Sequence, residues 1–424
     1  MKSSSDTQIA RDYDAARARF AALGVDADQA LKKLARIPLS LHCWQGDDVQ
    51  GFEAGETGLT GGIMATGNYP GRARTPDELR ADLDMVWKLL PGRHRLALHA
   101  LYAETGGQRV DRDALEPRHF QGWVDWARAR KVGLDFNGSF FSHPKSAEGF
   151  TLSHPDENLR RFWIAHGIAS RRIGAFLGRE LGSPCVCNLW IPDGFKDIPV
   201  DRAAYRERLR ASLDAIFAEK LPRAHLLDAV EPKLFGLGSE SCVIGSHEFY
   251  LAYAVQRGLF LTLDTGHYHP TELVSDKISA ALAFLDGVLL HVSRGVRWDS
   301  DHVVVLTEEL VALAQEIVRG GCEGRVRVGL DYFDASINRV AAWVIGARAT
   351  LKAFLVALLE PTAALRALEE KGDYTGRLAM LEDLKGLPYG AVWEHYCMES
   401  GTLPSMAWLD EVRRYETQAL AKRK

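Results

Sequence analysis

The chain has 424 residues, and 52 lysines and arginines against 56 aspartates and glutamates give it a formal net charge of −4. Hydrophobic residues make up 46% and charged residues 25%, a balance that excludes disordered, collagen-like and coiled-coil proteins. Nucleic-acid binders concentrate positive charge, and this mildly acidic chain has no basic excess, so we expect no nucleic-acid partner.

The amino terminus and the cysteines bear on where the protein works. The segment Met1–Asp6 is polar, and we see no apolar run of the roughly 18 residues that a membrane span needs. The six cysteines are sparse, and the spacing of Cys185 and Cys187 is typical of one face of a buried strand rather than of a metal knuckle. These features predict a cytoplasmic protein with reduced thiols and no membrane partner.

Short apolar runs typical of buried strands occur eight times and alternate with segments of helical period. The runs are Pro38–Trp44, Arg95–Ala103, Val132–Phe141, Cys185–Pro192, His225–Leu234, Phe260–His267, Val288–Ser293 and Val326–Phe333. Strands buried on both faces and separated by helices pair in parallel, and eight such units predict a (β/α)₈ TIM barrel. A doubly wound open sheet is the alternative, but its glycine-rich phosphate turn is missing.

The helical segments divide the chain into three parts. We predict an N-terminal helical segment over 1–37, a catalytic barrel over 38–360 and a helical C-terminal extension over 361–424. Helical periods between the strands cover Pro76–Leu90, Arg118–Lys131, Asp156–Leu181, Arg202–Lys220, Ser246–Arg257, Glu272–Leu285, Val303–Arg319 and Ile337–Leu359. The extension is predicted to be broken near Gly372, Pro388 and Pro404.

Helix ends carry local signals. A single leading helix is expected over Asp6–Leu34, and Asp156 is a predicted N-cap. Gly133, Gly182 and Gly258 occupy positions where helices commonly end.

Two loops draw attention. The segment Gly58–Gly71 is a long glycine-rich loop after the first strand, which predicts a mobile lid over the barrel mouth that reaches toward a neighbouring subunit. In the seventh loop, Ser300 or Asp301 is a candidate N-cap for the helix from Val303 onward, which does not exclude a role in metal binding.

Four successive strands carry a side chain that can bind a metal near the end where barrel enzymes place their active sites: Glu231, Asp264, His291 and Asp331. One acidic residue there is commonly a loop cap, and one histidine is commonly a core residue. Four adjacent strands that each carry such a residue at the same level instead indicate a metal site.

A second group lies a few residues further toward the mouth: His267, Asp299 and Asp301. The two groups contain five carboxylates, and Lys233 offsets only one of them. Desolvating unpaired carboxylates is costly, so we expect two divalent ions. Oxygen-rich ligands with one imidazole per ion favour Mn²⁺, Co²⁺ or Mg²⁺ over Zn²⁺.

Other polar and aromatic side chains follow the first four strands. The set is His42, Trp44, His99, Tyr102, Asn137, Asn188, Trp190 and Asp193. Rings and hydrogen-bonding groups on one wall suit a polyhydroxylated ligand such as a sugar, and His99 and Trp190 are the candidates for substrate binding. The roles of Asp334, His269 and His302 stay open.

The same residues lie in long motifs that resemble a known family. The motifs are HCWQGDDVQGFE (His42–Glu53), GGIMATGNYPG (Gly61–Gly71), EPKLFG (Glu231–Gly236), LDTGHYHPTE (Leu263–Glu272), LHVSRGVRWDSDHVV (Leu290–Val304) and GLDYFDASINRVAAWVIG (Gly329–Gly346). They are similar to the L-rhamnose isomerases of the enterobacterial type, nearly end to end. More distantly, the barrel and the pair Glu231 and Lys233 resemble xylose isomerase.

This resemblance implies a Mn²⁺-dependent homotetramer that converts L-rhamnose to L-rhamnulose in rhamnose breakdown. The oxygen-rich ligand set makes Co²⁺ the expected substitute ion. By motif, the catalytic metal is assigned to His267, Asp299 and Asp301. The structural metal is assigned to Glu231, Asp264, His291 and Asp331.

The expected reaction is a metal-assisted 1,2-hydride shift. Lys233 is expected to bind the sugar and donate a hydrogen bond to its O1, and a carboxylate such as Asp331 acting as a base on C2 is the rival route through an enediol. The catalytic set is Lys233, His267, Asp299, Asp301 and Asp331.

Three alternatives remain: a metal-dependent phosphodiesterase or nuclease on the same barrel, a related aldose isomerase or epimerase, and a sugar-binding protein without catalysis. The acidic charge argues against the nuclease.

Overall fold

The computed structural model describes residues 4–53, 65–234, 241–296 and 298–423. Eight parallel strands close into a barrel, and each pairs with the next along the chain. The strands are Leu39–His42 (β1), Arg95–His99 (β2), Gly133–Ser139 (β3), Cys185–Trp190 (β4), Leu226–Glu231 (β5), Phe260–Asp264 (β6), Val288–Val292 (β7) and Val326–Leu330 (β8). Leu39 pairs with Val328, so β1 closes the barrel against β8 and the predicted (β/α)₈ fold is confirmed.

Helices precede, separate and follow the strands. They are Ser4–Ala21 (α1), Ala27–Leu34 (α2), Pro76–Leu89 (α3), Gln121–Arg130 (α4), Glu157–Leu181 (α5), Arg202–Ile216 (α6), His247–Arg257 (α7), Ser275–Leu282 (α8), Glu308–Arg319 (α9), Arg339–Leu358 (α10), Thr362–Glu370 (α11), Tyr374–Leu384 (α12), Tyr389–Glu399 (α13) and Ala407–Gln418 (α14). The helical C-terminal region is therefore confirmed, with interruptions at the three predicted positions.

Short strands and 3₁₀ helices lie between or after these strands and helices. Two short antiparallel pairs join Gly194–Phe195 to Cys242–Val243 and Arg294–Val296 to Trp298–His302. Short 3₁₀ helices cover Cys43–Gln45, Ala100–Tyr102, Arg112–Ala114, Pro117–Phe120, Pro144–Ser146 and Leu420–Lys422.

Several predicted helix ends are confirmed. The Asp156 side chain accepts a hydrogen bond from the Asn158 amide at 2.8 Å, as an N-cap does. Gly182 and Gly258 end α5 and α7 in the left-handed conformation. Gly133 was expected to do the same for α4, but Lys131 takes the left-handed position with φ of 56° and Gly133 begins β3.

Two further expectations at helix starts are wrong. The leading segment forms two helices, because the chain turns at Gly24 with φ of 76° and α2 starts anew after its cap Asp26. Ser300 and Asp301 do not cap a helix. They lie in a strand, and α9 begins later, where the Thr307 side chain accepts from the Leu310 amide.

The core helix α10 is the one helix of the described chain that is long and apolar enough to cross a membrane. The sequence was expected to contain no such run. Within the fold, 83% of its apolar window is buried, and the helix packs against α9, α2 and α3. Burial inside the protein therefore accounts for its composition. All six cysteines are free and buried, Cys185 and Cys187 among them.

The predicted lid is only partly described. Residues 58–64 of the Gly58–Gly71 segment lie outside the described residues. The following part is tied to the loop after β8, where the Tyr69 amide donates to the Ala335 carbonyl at 2.7 Å and the Ala335 amide donates to Thr66 at 3.2 Å.

Alternate residues of each strand point into the barrel, so each strand contributes to several interior layers. On β8, Arg327 and Gly329 share the interior face with Asp331, which follows the strand. The amino-terminal end of β4 to β7 is filled by an apolar cluster of Val186, Leu227, Ala229, Phe260 and Leu289. Polar residues therefore gather at the carboxyl end of these strands.

One glycine shows how closely the helices pack on the barrel. A Cβ at Gly178 in α5 would lie 1.9 Å from the backbone carbonyl oxygen of His225. We expect Gly178→Ala to lower the free energy of unfolding by about 1–3 kcal/mol, because backbone must move to admit the methyl group. Thermal unfolding of the variant measures this.

Gly390→Ala in α13 is the matched control, because no atom lies within 4 Å of the added Cβ. Its melting temperature should stay unchanged or rise slightly. Equal melting temperatures for the two variants would contradict the close packing of α5.

Candidate metal centre and active site

The carboxyl ends of β5 to β8 bring four ionisable side chains together: Glu231, Asp264, His291 and Asp331. The His291 Nδ1 lies 3.3 Å from Glu231 Oε1 and 3.1 Å from Asp331 Oδ2. All four residues are buried, and their ligand atoms lie within 4.8 Å of one another. The residues predicted for one ion thus form one compact cluster, which we call cluster A.

Cluster B adjoins it and consists of Asp264, His267 and Asp299. His267 Nε2 lies 3.2 Å from Asp299 Oδ2 and 3.8 Å from Asp264 Oδ2. Its other nitrogen, Nδ1, donates to the Pro232 carbonyl at 2.9 Å, which orients Nε2 toward the two carboxylates. Asp264 therefore belongs to both clusters, an arrangement that sequence spacing did not reveal.

Local backbone makes these approaches possible. A Cβ at Gly266 would lie 2.6 Å from Asp299 Oδ1, so a glycine after β6 lets the Asp299 side chain come close. Gly329 on β8 pairs with His291, and a Cβ there would lie 3.2 Å from the His291 ring. Both glycines leave room for a charged neighbour.

The charge of the two clusters suits cations. Three buried carboxylate oxygens have no hydrogen-bond donor within the described part of the chain: Asp264 Oδ2, Asp299 Oδ1 and Asp331 Oδ1. Burial raises the pKa of Asp264 to about 7, and the nearby carboxylates overcome burial and raise the pKa of His267 to about 9. The raised pKa values mean that, without cations, the two clusters hold protons that lower their negative charge. Divalent cations would supply the same compensation, and they fit ligand sets of carboxylate oxygens with one imidazole per cluster.

Lys233 and Asp301 flank cluster B. The Lys233 ammonium lies 2.7 Å from Asp299 Oδ2 and 4.8 Å from the centre of the Trp190 ring. Burial opposes its charge, but Asp299 outweighs burial and raises the pKa of Lys233.

Asp301 has a left-handed φ of 44° and is not a member of either cluster. Burial and the charge of Asp299 raise the pKa of Asp301 well above its ordinary value.

Aromatic rings line the site along the ends of β1 to β4. The Trp44 ring stacks 4.2 Å from that of His99 and 4.3 Å from that of His42, and Trp190 packs 5.5 Å from Phe141. Both ring nitrogens of His42 and His99, and the indole nitrogens of Trp44 and Trp190, are buried without a hydrogen-bond partner in the described chain. Such a wall offers a small ligand both apolar faces and unused hydrogen-bonding groups.

Some predicted site residues are occupied elsewhere. The Asp193 carboxylate accepts four hydrogen bonds from the backbone and side chains of Thr151 and Ser153. The Tyr102 hydroxyl donates to Asp47 at 2.6 Å. The polar groups of these two residues are therefore used in hydrogen bonds within loops and are not available to the clusters.

The three residues whose roles stayed open also have local partners. His269 lies 2.8 Å from the Thr271 hydroxyl, and His302 lies 2.9 Å from the Ser300 hydroxyl. Asp334 accepts from both the amide and the hydroxyl of Ser336.

Two contacts extend the predicted site. His42, at the end of β1, lies 3.5 Å from Asp331 and forms a third group with it and His291. Asn188 donates to Glu231 Oε2 at 2.5 Å and accepts from the Thr262 hydroxyl at 2.7 Å. Because the register places Asn188 and Thr262 inside the barrel, only the folded structure shows that they orient Glu231.

Comparison with known proteins shows which family the chain belongs to. The family model described as L-rhamnose isomerase (RhaA) matches residues 7–423. This chain belongs to the L-rhamnose isomerase family. The family resemblance of the sequence motifs is therefore confirmed.

Its relatives are similar over almost their whole length. The chain is 59% identical to the L-rhamnose isomerase of Rhodopirellula baltica over 98% of this chain and 97% of the relative. It is 59% identical to those of Pectobacterium carotovorum and Escherichia coli over 98% of this chain and 99% of each. Among solved structures, an L-ribulose 3-epimerase aligns with 78% of this chain and 97% of its own at 13% identity and a TM-score of 0.46.

The hydrogen bond from Asn188 to Glu231 gives a test of cluster A. We expect Asn188→Ala to weaken the binding of a divalent ion by about 10–100-fold, because the carboxylate loses the donor that orients it. Isothermal titration of the metal-free protein with Mn²⁺ measures the affinity.

Asn137→Ala is the matched control. Asn137 pairs with Asn188 across β3 and β4, but its amide donates to the Leu98 carbonyl and not to a cluster residue. Its metal affinity should match that of the unmodified protein. Equal weakening in both variants would show that loss of packing, and not orientation of Glu231, is responsible.

Proposed function

We propose that this protein is a metal-dependent isomerase that converts L-rhamnose to L-rhamnulose in rhamnose catabolism. The observation that carries the proposal is the juxtaposition of clusters A and B with a wall of unpartnered histidine and tryptophan nitrogens. Cations beside the carbonyl and the C2 hydroxyl of an open-chain aldose would polarise these groups, and its remaining hydroxyls require hydrogen-bond partners. The names of the relatives at 59% identity support the choice of sugar.

Two divalent ions are proposed. Glu231, Asp264, His291 and Asp331 would hold the ion that anchors the substrate, and His267 and Asp299 would hold the catalytic ion, with Asp264 near both. Asp301, which lies outside the two clusters, is proposed as a further ligand of the catalytic ion on the family resemblance alone. A divalent ion at this position supplies Lewis-acid polarisation of a carbonyl oxygen. We propose Mn²⁺ as the ion, with Co²⁺ as a substitute, because oxygen ligands outnumber imidazoles.

The protein's own groups then position the sugar. Lys233 stands between Asp299 and the Trp190 ring, so its ammonium can donate to O1 as negative charge develops there. His99 and Trp190 supply a ring face and unused nitrogens for the hydroxyl-bearing chain. His267 Nδ1 donates to the Pro232 carbonyl, so Nε2 faces the proposed catalytic ion beside Asp299, from which it lies 3.2 Å away.

Isomerisation moves one hydrogen from C2 to C1 and one proton from O2 to O1. We propose a 1,2-hydride shift for the first transfer. Asp331, the rival base for C2, already lies 3.1 Å from His291, which engages one oxygen of its carboxylate. Deuterium placed at C2 should therefore remain in the ketose at C1, whereas an enediol route would exchange it with water.

The homotetramer is proposed from the resemblance, and the cytoplasmic location from the sparse, free cysteines. We propose a cytoplasmic homotetramer, with a helical segment over 1–37, a barrel over 38–360 and an extension over 361–424. No observation on the described residues favours the nuclease.

Metal removal tests the proposed chemistry. We expect chelator-treated protein to lose isomerase activity, and Mn²⁺ or Co²⁺ to restore it better than Zn²⁺, because the clusters are rich in oxygen ligands. Ketose formation from a panel of aldoses, measured beside metal stoichiometry, checks both points. Full activity without metal would refute the proposal, and no ketose from any aldose would favour a binding protein.

Two isosteric variants separate the proposed ions. Asp301→Asn should keep sugar binding while kcat falls by about a hundredfold, because the loss is confined to the proton transfer. Glu231→Gln should lose sugar affinity and rate together, because the anchoring ion is no longer held. Sugar titration with metal analysis of each variant is the measurement, and the opposite result would reverse the two roles.

A further inference from the structure

The amino-terminal end of the barrel interior has two unlike halves. On β4 to β7 it is closed by apolar side chains, including Val186, Phe260 and Leu289. On β8 and β1 to β3 the corresponding interior positions are polar and are occupied by Arg327, Ser40, Arg95 and Asp135. This polar half lies at the opposite end of the barrel from clusters A and B, so the proposed isomerase chemistry does not account for it.

Most of the polar half is internally paired. The Arg95 guanidinium donates to both oxygens of Asp135, at 2.8 and 2.9 Å, and its other contacts are the Ser183 hydroxyl and backbone carbonyls. Ser40 and the Val186 amide also donate to Asp135, at 2.7 and 2.9 Å. The carboxylate of Asp135 thus has four donors and little capacity to neutralise a second cation.

Arg327 is the exception. Its guanidinium makes no hydrogen bond or ion pair with any residue that the structure describes, although the side chain is only partly exposed. Burial and the neighbouring charge of Arg95 lower the pKa of Arg327. A partly desolvated guanidinium without a counter-charge is costly, and a bound anion would remove that cost.

A cavity of about 410 Å³ opens beside Arg327. Three guanidinium groups, from Arg36, Arg95 and Arg327, and two carboxylates, from Asp135 and Glu323, line it, so 3 − 2 leaves one net positive charge in an otherwise acidic protein. Its remaining wall includes apolar side chains of Ile37, Pro38, Ile317 and Phe354.

We propose that this cavity is an anion-binding site for a phosphate group, with Arg327 as its principal ligand and Arg36 at its rim. A guanidinium presents paired N–H donors that match the oxygens of a phosphate, and Asp135 holds Arg95 in place beside it. The volume exceeds that of a phosphate ion, and the apolar wall can accept the organic part of a phosphate monoester.

The test compares binding to the intact, metal-loaded protein and to two variants at constant ionic strength. Inorganic phosphate should bind the unmodified protein, and Arg327→Gln should raise its dissociation constant by about tenfold or more. Arg210→Gln is the matched control, because Arg210 is exposed on α6 and forms no ion pair within the described residues. Phosphate that binds at the barrel mouth would be held equally by all three proteins.

Equal phosphate affinity in the unmodified protein and Arg327→Gln would overturn the proposal, as would an absence of phosphate binding. Glycerol phosphate distinguishes the two sources of the anion. Binding tighter than that of inorganic phosphate places a monoester in the cavity, and equal binding assigns the site to the phosphate group alone.

A second measurement does not depend on the variant folding. Crystals of the unmodified protein soaked in selenate, a tetrahedral analogue of phosphate with a strong anomalous signal, should show a peak in the cavity beside the Arg327 guanidinium. Soaked crystals without a peak there would also overturn the proposal.

Discussion

The excess of buried carboxylate at one end of the barrel is the constraint on which the site depends. Glu231, Asp264, Asp299 and Asp331 converge within a small volume, and Lys233 pairs with only one of them. Like charges this close are tolerated only with protons or cations between them. The raised pKa of His267 and the unpartnered carboxylate oxygens are both consequences of that charge. A neutral barrel of the same shape would have no reason to bind metal.

Barrel geometry turns this charge into a site for a sugar. The acidic side chains come from β5 to β8, whereas the aromatic wall of Trp44, His99 and Trp190 comes from or directly follows β1, β2 and β4. The two sets adjoin where β4 pairs with β5, which places Trp190 beside Glu231, and closure of β1 against β8 brings His42 beside Asp331. Residues that do not themselves face the metal position, such as Asn188, then orient the groups that would hold metal by hydrogen bonds, in this case to Glu231.

The interior is polar at both ends, for different reasons. At the carboxyl end the charge is negative and shared among several strands. At the amino end one carboxylate, Asp135, is fully occupied by Arg95, and the Arg327 cation is left over. The rest of the amino end, on β4 to β7, is filled by apolar side chains, which exclude water from that part of the barrel. One strand, β8, carries Arg327 and leads into Asp331, so it contributes to both ends.

The sequence by itself determined the barrel and most of the ionisable set. The alternation of apolar runs with helical periods is visible within short stretches of sequence, so it predicts the strands and helices. Because parallel strands of a barrel all end at one face, Glu231, Asp264 and Asp331 could then be assigned to a common site. Helix caps such as Asp156 were equally readable, because their hydrogen bonds span a few residues. Only the tertiary structure decided that Asp264 belongs to both clusters, that Asp301 stands outside them, and that Asp193 is occupied by Thr151 and Ser153. Those outcomes depend on distances between side chains far apart in the chain, which barrel closure and loop conformation set and which no local period encodes.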